Sequence, residues 1–422
     1  MKKVIAAAAG LMLVGAMASA AVAEVSLSGD ARVRYVYKDS YDFGATTKDG
    51  WDYFDSRIRV KVDAKAKGGA FMKARMRFDD YKWDGQGWGA YTEDKNIWVD
   101  YGYIGIPMGN VTLMGGRMVG NFSEFFSYDT RPSRVMLQYK AGGLTVKALV
   151  DTKDDANVGD NGPTDVNDDN DFRAYGLVVS SKINDAWSVK AYARYQDDER
   201  IEDISTTTVI DDLDNSFAVQ DGDSIELNTV TTTTPHTDAS GFLGSIHLDG
   251  KVDALSIAAE LAYKESDVQG TDDNGIGLYA NLAYAMGAMT PSVNIGITRN
   301  GYTADGDFGW IMIGDIEPLS VVSNVGDSST EWWWIAPTVK YAISDNMSLT
   351  GNLVYVDFSD DDNNPATNLD GSAFELSAML KYTVSEGADL YFGAGMLAPD
   401  FDDPTAADDT AFGAMAKMQI KF

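Results

Sequence analysis

Apolar and polar residues alternate along most of this chain with a period of two. From residue 412 onward every second position is apolar: Phe412, Ala414, Ala416, Met418, Ile420 and Phe422, with Lys417, Gln419 and Lys421 between them. Side chains of a β-strand point alternately to opposite faces, so this segment predicts a strand with one greasy face and one wet face. Val25, Leu27, Gly29, Ala31, Val33, Tyr35 and Tyr37 likewise share a face against Ser26, Ser28, Asp30, Arg32, Arg34 and Lys38. Next, Ile58, Val60, Val62, Ala64 and Ala66 oppose Arg57, Arg59, Lys61, Asp63 and Lys65. Then Ala70, Met72, Ala74, Met76 and Phe78 oppose Lys73, Arg75, Arg77 and Asp79. The pattern returns around residues 255–264, 292–298 and 374–382, while the faces near 172–181 and 390–397 are ambiguous.

A soluble sandwich also alternates in this way. The rhythm of the connections separates the two cases. Short connections fall near residues 67–69, 107–110, 141–143, 184–186, 249–252, 286–289, 344–346 and 385–388. Between them lie long stretches rich in Asp, Asn, Gly and Thr, the longest from about residue 197 to 239. Eight short turns and nine long loops predict about 18 strands, or 16 if two weaker segments are not strands. Each would approach the roughly 9–11 residues that a tilted membrane strand needs. The expected fold is all-β: a transmembrane antiparallel β-barrel with short periplasmic turns and long extracellular loops, the plan of an outer-membrane barrel. An open edge would leave backbone groups unpaired in lipid, so the first and last strands should pair. Tyr35, Tyr37, Trp187, Tyr195, Trp333, Tyr341, Tyr355 and Tyr382 fall on lipid-side positions near strand ends, where girdles are expected.

Composition narrows the picture. Lys2 and Lys3 precede an apolar run to about Ala18, and Ala21-Val22-Ala23 fits a small-residue cleavage site. This reads as a secretory signal over residues 1–23 rather than a membrane span, leaving a barrel over residues 24–422. No other run reaches the ~18 apolar residues of a spanning helix. Cysteine is absent, which excludes disulfides, thiolate catalysis and Cys-based metal sites. The net charge of −30 argues against a nucleic-acid partner, and no cofactor is expected.

Two features carry a family resemblance. An exported chain that ends on an aromatic residue, here Phe422, is similar to outer-membrane barrels whose terminal segment is read by the barrel-assembly machinery. The stretch 103–117, Tyr-Ile-Gly-Ile-Pro-Met-Gly-Asn-Val-Thr-Leu-Met-Gly-Gly-Arg, resembles the two-strand segment of general Gram-negative porins that carries a Gly-rich turn and ends in Gly-Arg. The resemblance implies that the next loop, residues 118–132, folds into the barrel and narrows it. It would set Glu124 and Asp129 opposite a basic wall. It also implies a homotrimer in contact with outer-membrane lipid and lipopolysaccharide.

That basic wall is read from the strands themselves. Arg32, Arg34, Arg57, Arg59, Lys61, Lys65, Lys73, Arg75 and Arg77 lie on three consecutive strands, about 4.8 Å apart. Facing lipid, each would cost roughly 2–4 kcal/mol at the midplane, so the polar lumen is their natural place. Arg117 joins them as a pore-lining candidate. Neutralisation by Asp30, Asp63 and Asp79 is the plainer alternative. Acidic runs within 151–171, 357–370 and 400–409 suit hard cations, but they read better as solvated loops, since none completes a calcium loop: Asp360-x-Asp362-x-Asn364 is followed by Pro365. The histidines are His236 and His247. Ser245 and His247 share a strand face, which alone is weak support for a hydrolase. A barrel of this size leaves an aqueous channel unless plugged. The expected function is therefore an outer-membrane pore for passive diffusion of small hydrophilic solutes and ions. The rivals are a structural or cation-binding surface barrel and a substrate-selective channel.

Overall fold

The computed structural model describes residues 22–40, 50–83, 97–155, 171–198, 202–212, 225–235, 239–305, 308–314, 318–320, 330–360, 370–402 and 409–422. In chain order the strands are β1 (Val22–Asp39), β2 (Trp51–Ala66), β3 (Phe71–Lys82), β4 (Ile97–Met108), β5 (Val111–Arg117), β6 (Ser133–Ala141), β7 (Leu144–Asp155), β8 (Asp171–Lys182), β9 (Trp187–Asp198), β10 (Glu202–Asp212), β11 (Ile225–Pro235), β12 (Gly241–Val252), β13 (Leu255–Lys264), β14 (Gly275–Tyr284), β15 (Met289–Arg299), β16 (Thr330–Ser344), β17 (Met347–Asp360), β18 (Gly371–Ser385), β19 (Ala388–Phe401) and β20 (Ala411–Lys421). One helical turn, α1 (Ser266–Gln269), lies between β13 and β14. Eighteen strands form a single antiparallel sheet. Each pairs with its neighbours in sequence, except that β9 pairs with β12 across the β10–β11 hairpin, which forms a separate two-stranded sheet.

The sheet closes on itself. β1 pairs with β20 from Asp30 opposite Lys421 to Asp39 opposite Phe412. Beyond the last strand residue, Phe422 exchanges two backbone hydrogen bonds with Gly29, at 2.7 and 3.1 Å. A Cβ on Gly29 would lie 2.6 Å from the Phe422 ring, so only glycine admits the terminal aromatic here. The sequence expectation of 18 strands, tight turns at one rim and long connections at the other holds. Two differences appear. The turn expected at 249–252 lies beyond β12, where Asp253 adopts a left-handed φ of 52°. The β10–β11 hairpin falls inside the segment read as one long loop. Its register aligns Thr206 with Thr231 and Thr208 with Thr229, and β-branched residues of this kind favour extended pairing.

The wall is greasy outside. Leu27, Ile104, Val135, Ile246, Leu376 and Phe392 are exposed on the outer face. The ambiguous segments resolve in the same way: Tyr175 and Leu177 point out while Phe172 and Ala174 are buried inside. In water such an apolar surface would drive association, whereas in hydrocarbon it is the favoured surface. No helix among the described residues is long and apolar enough to cross a membrane.

The interior is divided. On the β1–β4 side it is charged. On the β14–β19 side the inward positions Tyr279, Trp332, Trp334, Val354, Val356, Phe358 and Leu397 are apolar and buried. Two loop-rim connections fold down onto these residues, 118–132 and a second one described over 301–305 and 308–314. Together with the strand residues they make the core cluster of the molecule.

Candidate functional site: the narrowed lumen

Loop 118–132 is a closed excursion. Met118 donates its N–H to the Pro132 carbonyl at 3.0 Å, Gly120 donates to Thr130 at 2.9 Å, and Ser123 and Ser127 form an isolated bridge at the tip. The loop stays inside because its aromatics find partners there. The Phe125 ring lies 5.0 Å from Tyr279, 5.2 Å from Tyr302 and 4.8 Å from Phe308, in tilted or edge-on arrangements. Such pairs contribute about 0.5–1.5 kcal/mol beyond simple burial. Gly277 permits this approach, since a Cβ there would meet both Tyr302 and Phe125 within 2.7 Å. The two loops also bond directly, with the Tyr302 hydroxyl and the Asp305 N–H both donating to the Phe125 carbonyl.

Each loop is tied to the barrel by a buried glutamate. Ser123 Oγ donates to Glu260 Oε1 at 2.6 Å, and Ser245 Oγ donates to the same oxygen at 2.6 Å. His247 Nδ1 faces Glu260 Oε2 at 3.0 Å, and its Nε2 faces Asp249 at 3.0 Å. Ser245 therefore addresses the carboxylate instead of the imidazole, so the pair lacks the Ser–His contact that a nucleophilic serine requires. On the other side, the Ile313 N–H donates to Glu375 Oε2 at 2.8 Å. The N–H groups of Met312 and Ile311 are also directed at Glu375, and Ser377 Oγ completes its shell. The sequence reading missed loop 301–314. Its signal was legible: Trp310, Ile311, Met312 and Ile313 are four consecutive apolar residues between Gly309 and Gly314, in a connection otherwise expected to be polar.

Opposite this apolar mass stands the ladder of bases. Register rows run around the barrel: Asp30, Arg59 and Arg77 align on β1–β3, and Ser28, Lys61 and Arg75 form the next row. The Arg34 Nε donates to both oxygens of Asp55 at 2.9 and 3.0 Å. Arg32 approaches the same acid at 3.8 Å. Arg59 is held by Asp30 at 2.9 Å and Lys73 by Asp63 at 3.3 Å. Asp100, inserted on β4 where the register slips, gathers three guanidiniums, those of Arg75, Arg77 and Arg131. Arg75 also lies 4.9 Å over the Tyr101 ring. The neutralising acids are thus Asp30 and Asp63, as the plainer alternative held, joined by Asp55 and Asp100, which the sequence reading did not single out. The side chain of Asp79 lies outside the described residues. Arg57 aligns with Arg32 on the neighbouring strand. Arg117 does not join these pairs. It is exposed at the end of β5 and borders a cavity that also contains Arg131 and Arg134.

The two loop acids part company. Asp129 is bound by Arg131 of its own loop, next to the basic wall through Asp100. Glu124 borders a cavity of about 400 Å³ with Lys190, His247 and Tyr279, on the far side of the loop. Its side chain is exposed to the lumen, and partial desolvation by the surrounding barrel raises its carboxyl above the ordinary range. Among the described residues no cluster of acids or histidines is arranged to hold a metal ion. The acidic runs lie largely outside the described residues, as does His236.

Comparison with known proteins agrees with this geometry. Residues 6–403 match the family described as Gram-negative porin. No curated protein matches the chain. Among solved structures, OpdL of Pseudomonas aeruginosa shares 12% identity over 95% of this chain and 98% of its own, with a TM-score of 0.58. A BenF-like porin from Pseudomonas fluorescens Pf-5 shares 10% identity over 95% and 99%, with a TM-score of 0.57. OpdQ of Pseudomonas aeruginosa shares 12% over 94% and 97%, also at 0.57. At these identities the likeness speaks for the barrel alone. The family match, the closed 18-strand wall and the charged interior identify the chain as a member of the Gram-negative porins, an outer-membrane channel for passive diffusion and not an enzyme.

Proposed function

We propose that this porin favours small anions, and that the wall formed by Arg32, Arg34, Arg57, Arg59, Lys61, Arg75 and Arg77 sets the preference where loop 118–132 narrows the lumen. The observation that carries the reading is the imbalance around Asp100, where three guanidiniums, Arg75, Arg77 and Arg131, face two carboxylates, Asp100 and Asp129. Arg75, Arg77 and Arg131 are each held by a carboxylate, so these side chains are fixed, yet the group retains net positive charge. Charge rings of this kind select ions by sign at close range. The acidic surface works in the opposite direction at the mouth, but exposed charges are screened beyond roughly 8 Å at physiological salt. Reversal potential in a KCl gradient tests the reading: a sign reporting chloride preference supports it, and potassium preference overturns it.

Loop 118–132 is the constriction in this reading, with Glu124 and Asp129 as its acids and Arg117 at its entrance. Residues 1–23 would be removed on export, which N-terminal sequencing of the outer-membrane form would check. A homotrimer, contact with lipopolysaccharide and handling by the barrel-assembly machinery complete the proposal. Native mass spectrometry of detergent-solubilised protein tests the first of these.

A further inference from the structure

The cavity of about 400 Å³ beside Glu124 lies on the short-turn side of loop 118–132, between the inner wall of β9–β16 and the two in-folded loops. Register sets its wall in two rows. Lys190, His247, Glu260 and Tyr279 align across β9, β12, β13 and β14. Two residues nearer the turns, Asp249, Ala258, Asn281 and Asn294 align across β12–β15. Asn281 and Asn294 are thus direct neighbours on strands about 4.8 Å apart, and the small side chain of Ala258 leaves space beside them. Some polar groups here are already committed. His247 and Glu260 serve each other and the Ser123 anchor, and Asn294 Oδ1 accepts the Trp334 indole N–H. Others are free. Asn281, Glu124 and Lys190 have no hydrogen-bond or ion-pair partner among the described residues. Glu124 is exposed to the lumen, and the other two are half-buried.

The free groups offer both halves of a hydrogen bond. Asn281 has a carbonyl acceptor and an NH2 donor, Asn294 keeps its NH2, Glu124 accepts and Lys190 donates. One free acid and one free base leave the set close to neutral, unlike the β1–β3 wall. The facing side is aromatic. Phe122 and Tyr128 are half-buried there, and Phe308 meets Trp310 edge-on at 6.2 Å. The volume lies within the range of small-molecule sites. A sugar ring carries hydroxyls that each donate and accept, together with a C–H face that can lie on an aromatic ring. A small ion would leave the ring faces uncovered, and an apolar solute would strand the carboxamides without partners.

We propose that this cavity binds a neutral polyhydroxylated solute of the mono- or disaccharide class. Its hydroxyls bond to Asn281, Asn294 and Glu124, and its C–H face rests on Tyr128 and Trp310. The inference concerns uncharged solutes and stands on residues outside the basic wall, so it and the anion-favouring reading can each fail alone.

The test is saturation-transfer NMR on the folded full-length barrel in detergent. Glucose, sucrose and tetraethylene glycol are added separately, the last as a neutral solute with few hydroxyls. Saturable transfer to glucose or sucrose is expected, strongest at the ring C–H protons, with half-saturation on the order of millimolar. Asn281→Ala is expected to raise the half-saturating concentration by about three- to tenfold in protein that still migrates as a folded barrel. Glu124→Gln keeps an acceptor and should weaken binding less than Glu124→Ala does. Equal transfer to tetraethylene glycol would mean that solutes merely fill space, and overturns the site. Sugar binding unchanged by Asn281→Ala overturns it as well. Gluconate and glucosamine, the charged relatives of glucose, are run alongside: binding of either one without binding of glucose overturns the neutral class. Reversal potential on wild-type channels reports separately on the wall, whichever way the sugar experiment falls.

Discussion

Ser123 at the tip of the in-folded loop donates a hydrogen bond of 2.6 Å to Glu260 on β13, a carboxylate only 1% exposed. The contact spans 137 residues of sequence and fixes where the loop crosses the lumen. Ser123 also accepts the Phe126 N–H at 3.0 Å, so one hydroxyl organises the tip and anchors it. Ser123→Ala should loosen the loop by about 1.5–3 kcal/mol, the usual range for a hydrogen bond to a charged group. The expected readout is greater current noise in single-channel recordings with the barrel still folded. A quiet channel indistinguishable from wild type would show that Phe125 and Phe126 hold the loop unaided.

Neutralising the wall should change ion preference in a defined direction. Arg59→Gln with Arg75→Gln removes two positive charges and frees Asp30 and Asp100 from part of their compensation. Both effects favour cations, so reversal potential in a KCl gradient should move towards potassium. An unchanged potential would mean that these side chains do not meet the ion path.

The aromatic mass should be sensitive to truncation. Trp334 is 1% exposed and lies 5.7 Å from Phe308 and 6.3 Å from Phe125. Its indole N–H donates to Asn294 at 2.7 Å. Trp334→Ala should cost about 3–5 kcal/mol. If the loss falls on the loops and spares the wall, conductance should rise while the resistance of the barrel to heat in detergent changes little. A drop in heat resistance with unaltered conductance would place the cost in the wall.

Glu124 supplies a pH dependence. Partial desolvation lifts the carboxyl of this lumen-exposed side chain, so the proton is held to higher pH in the folded protein than in the unfolded chain. The folded state gives up stability as pH rises past the unfolded value, and a negative charge appears in the lumen once the raised value is passed. Cation permeability should therefore increase with pH above the ordinary carboxylate range. Glu124→Gln should remove that step, and the difference between the two reversal-potential titrations is the measurement.

Much of this architecture was legible because its rule is local. Alternation at Ile58, Val60 and Val62 against Arg57, Arg59 and Lys61 reports which face meets lipid without reference to any other strand. The same logic located the basic wall and the short turns. It could not find the anchors. Glu260 and Glu375 sit at inward positions like any lumen residue, and only the folded path of a distant loop shows that each is capped by that loop. Asp100 was hidden for another reason: a register slip between β3 and β4 turns it inward, and alternation carries no mark of a slip. Trp310–Ile313 was passed over because a connection at the loop rim is expected to be polar. The β10–β11 hairpin was missed because its threonines alternate without an apolar face.

The seam between β1 and β20 joins the two strands that are farthest apart along the chain, whereas every other junction in the wall links neighbours or spans one hairpin. Contacts of large sequence separation carry the greatest closure entropy and form slowly. The cylinder is thus expected to zip from its interior strands outward and to remain a curled, two-edged ribbon until Phe422 reaches Gly29. For that interval both margins offer unpaired backbone to any passing strand, making the seam the step at which assembly is most exposed to error.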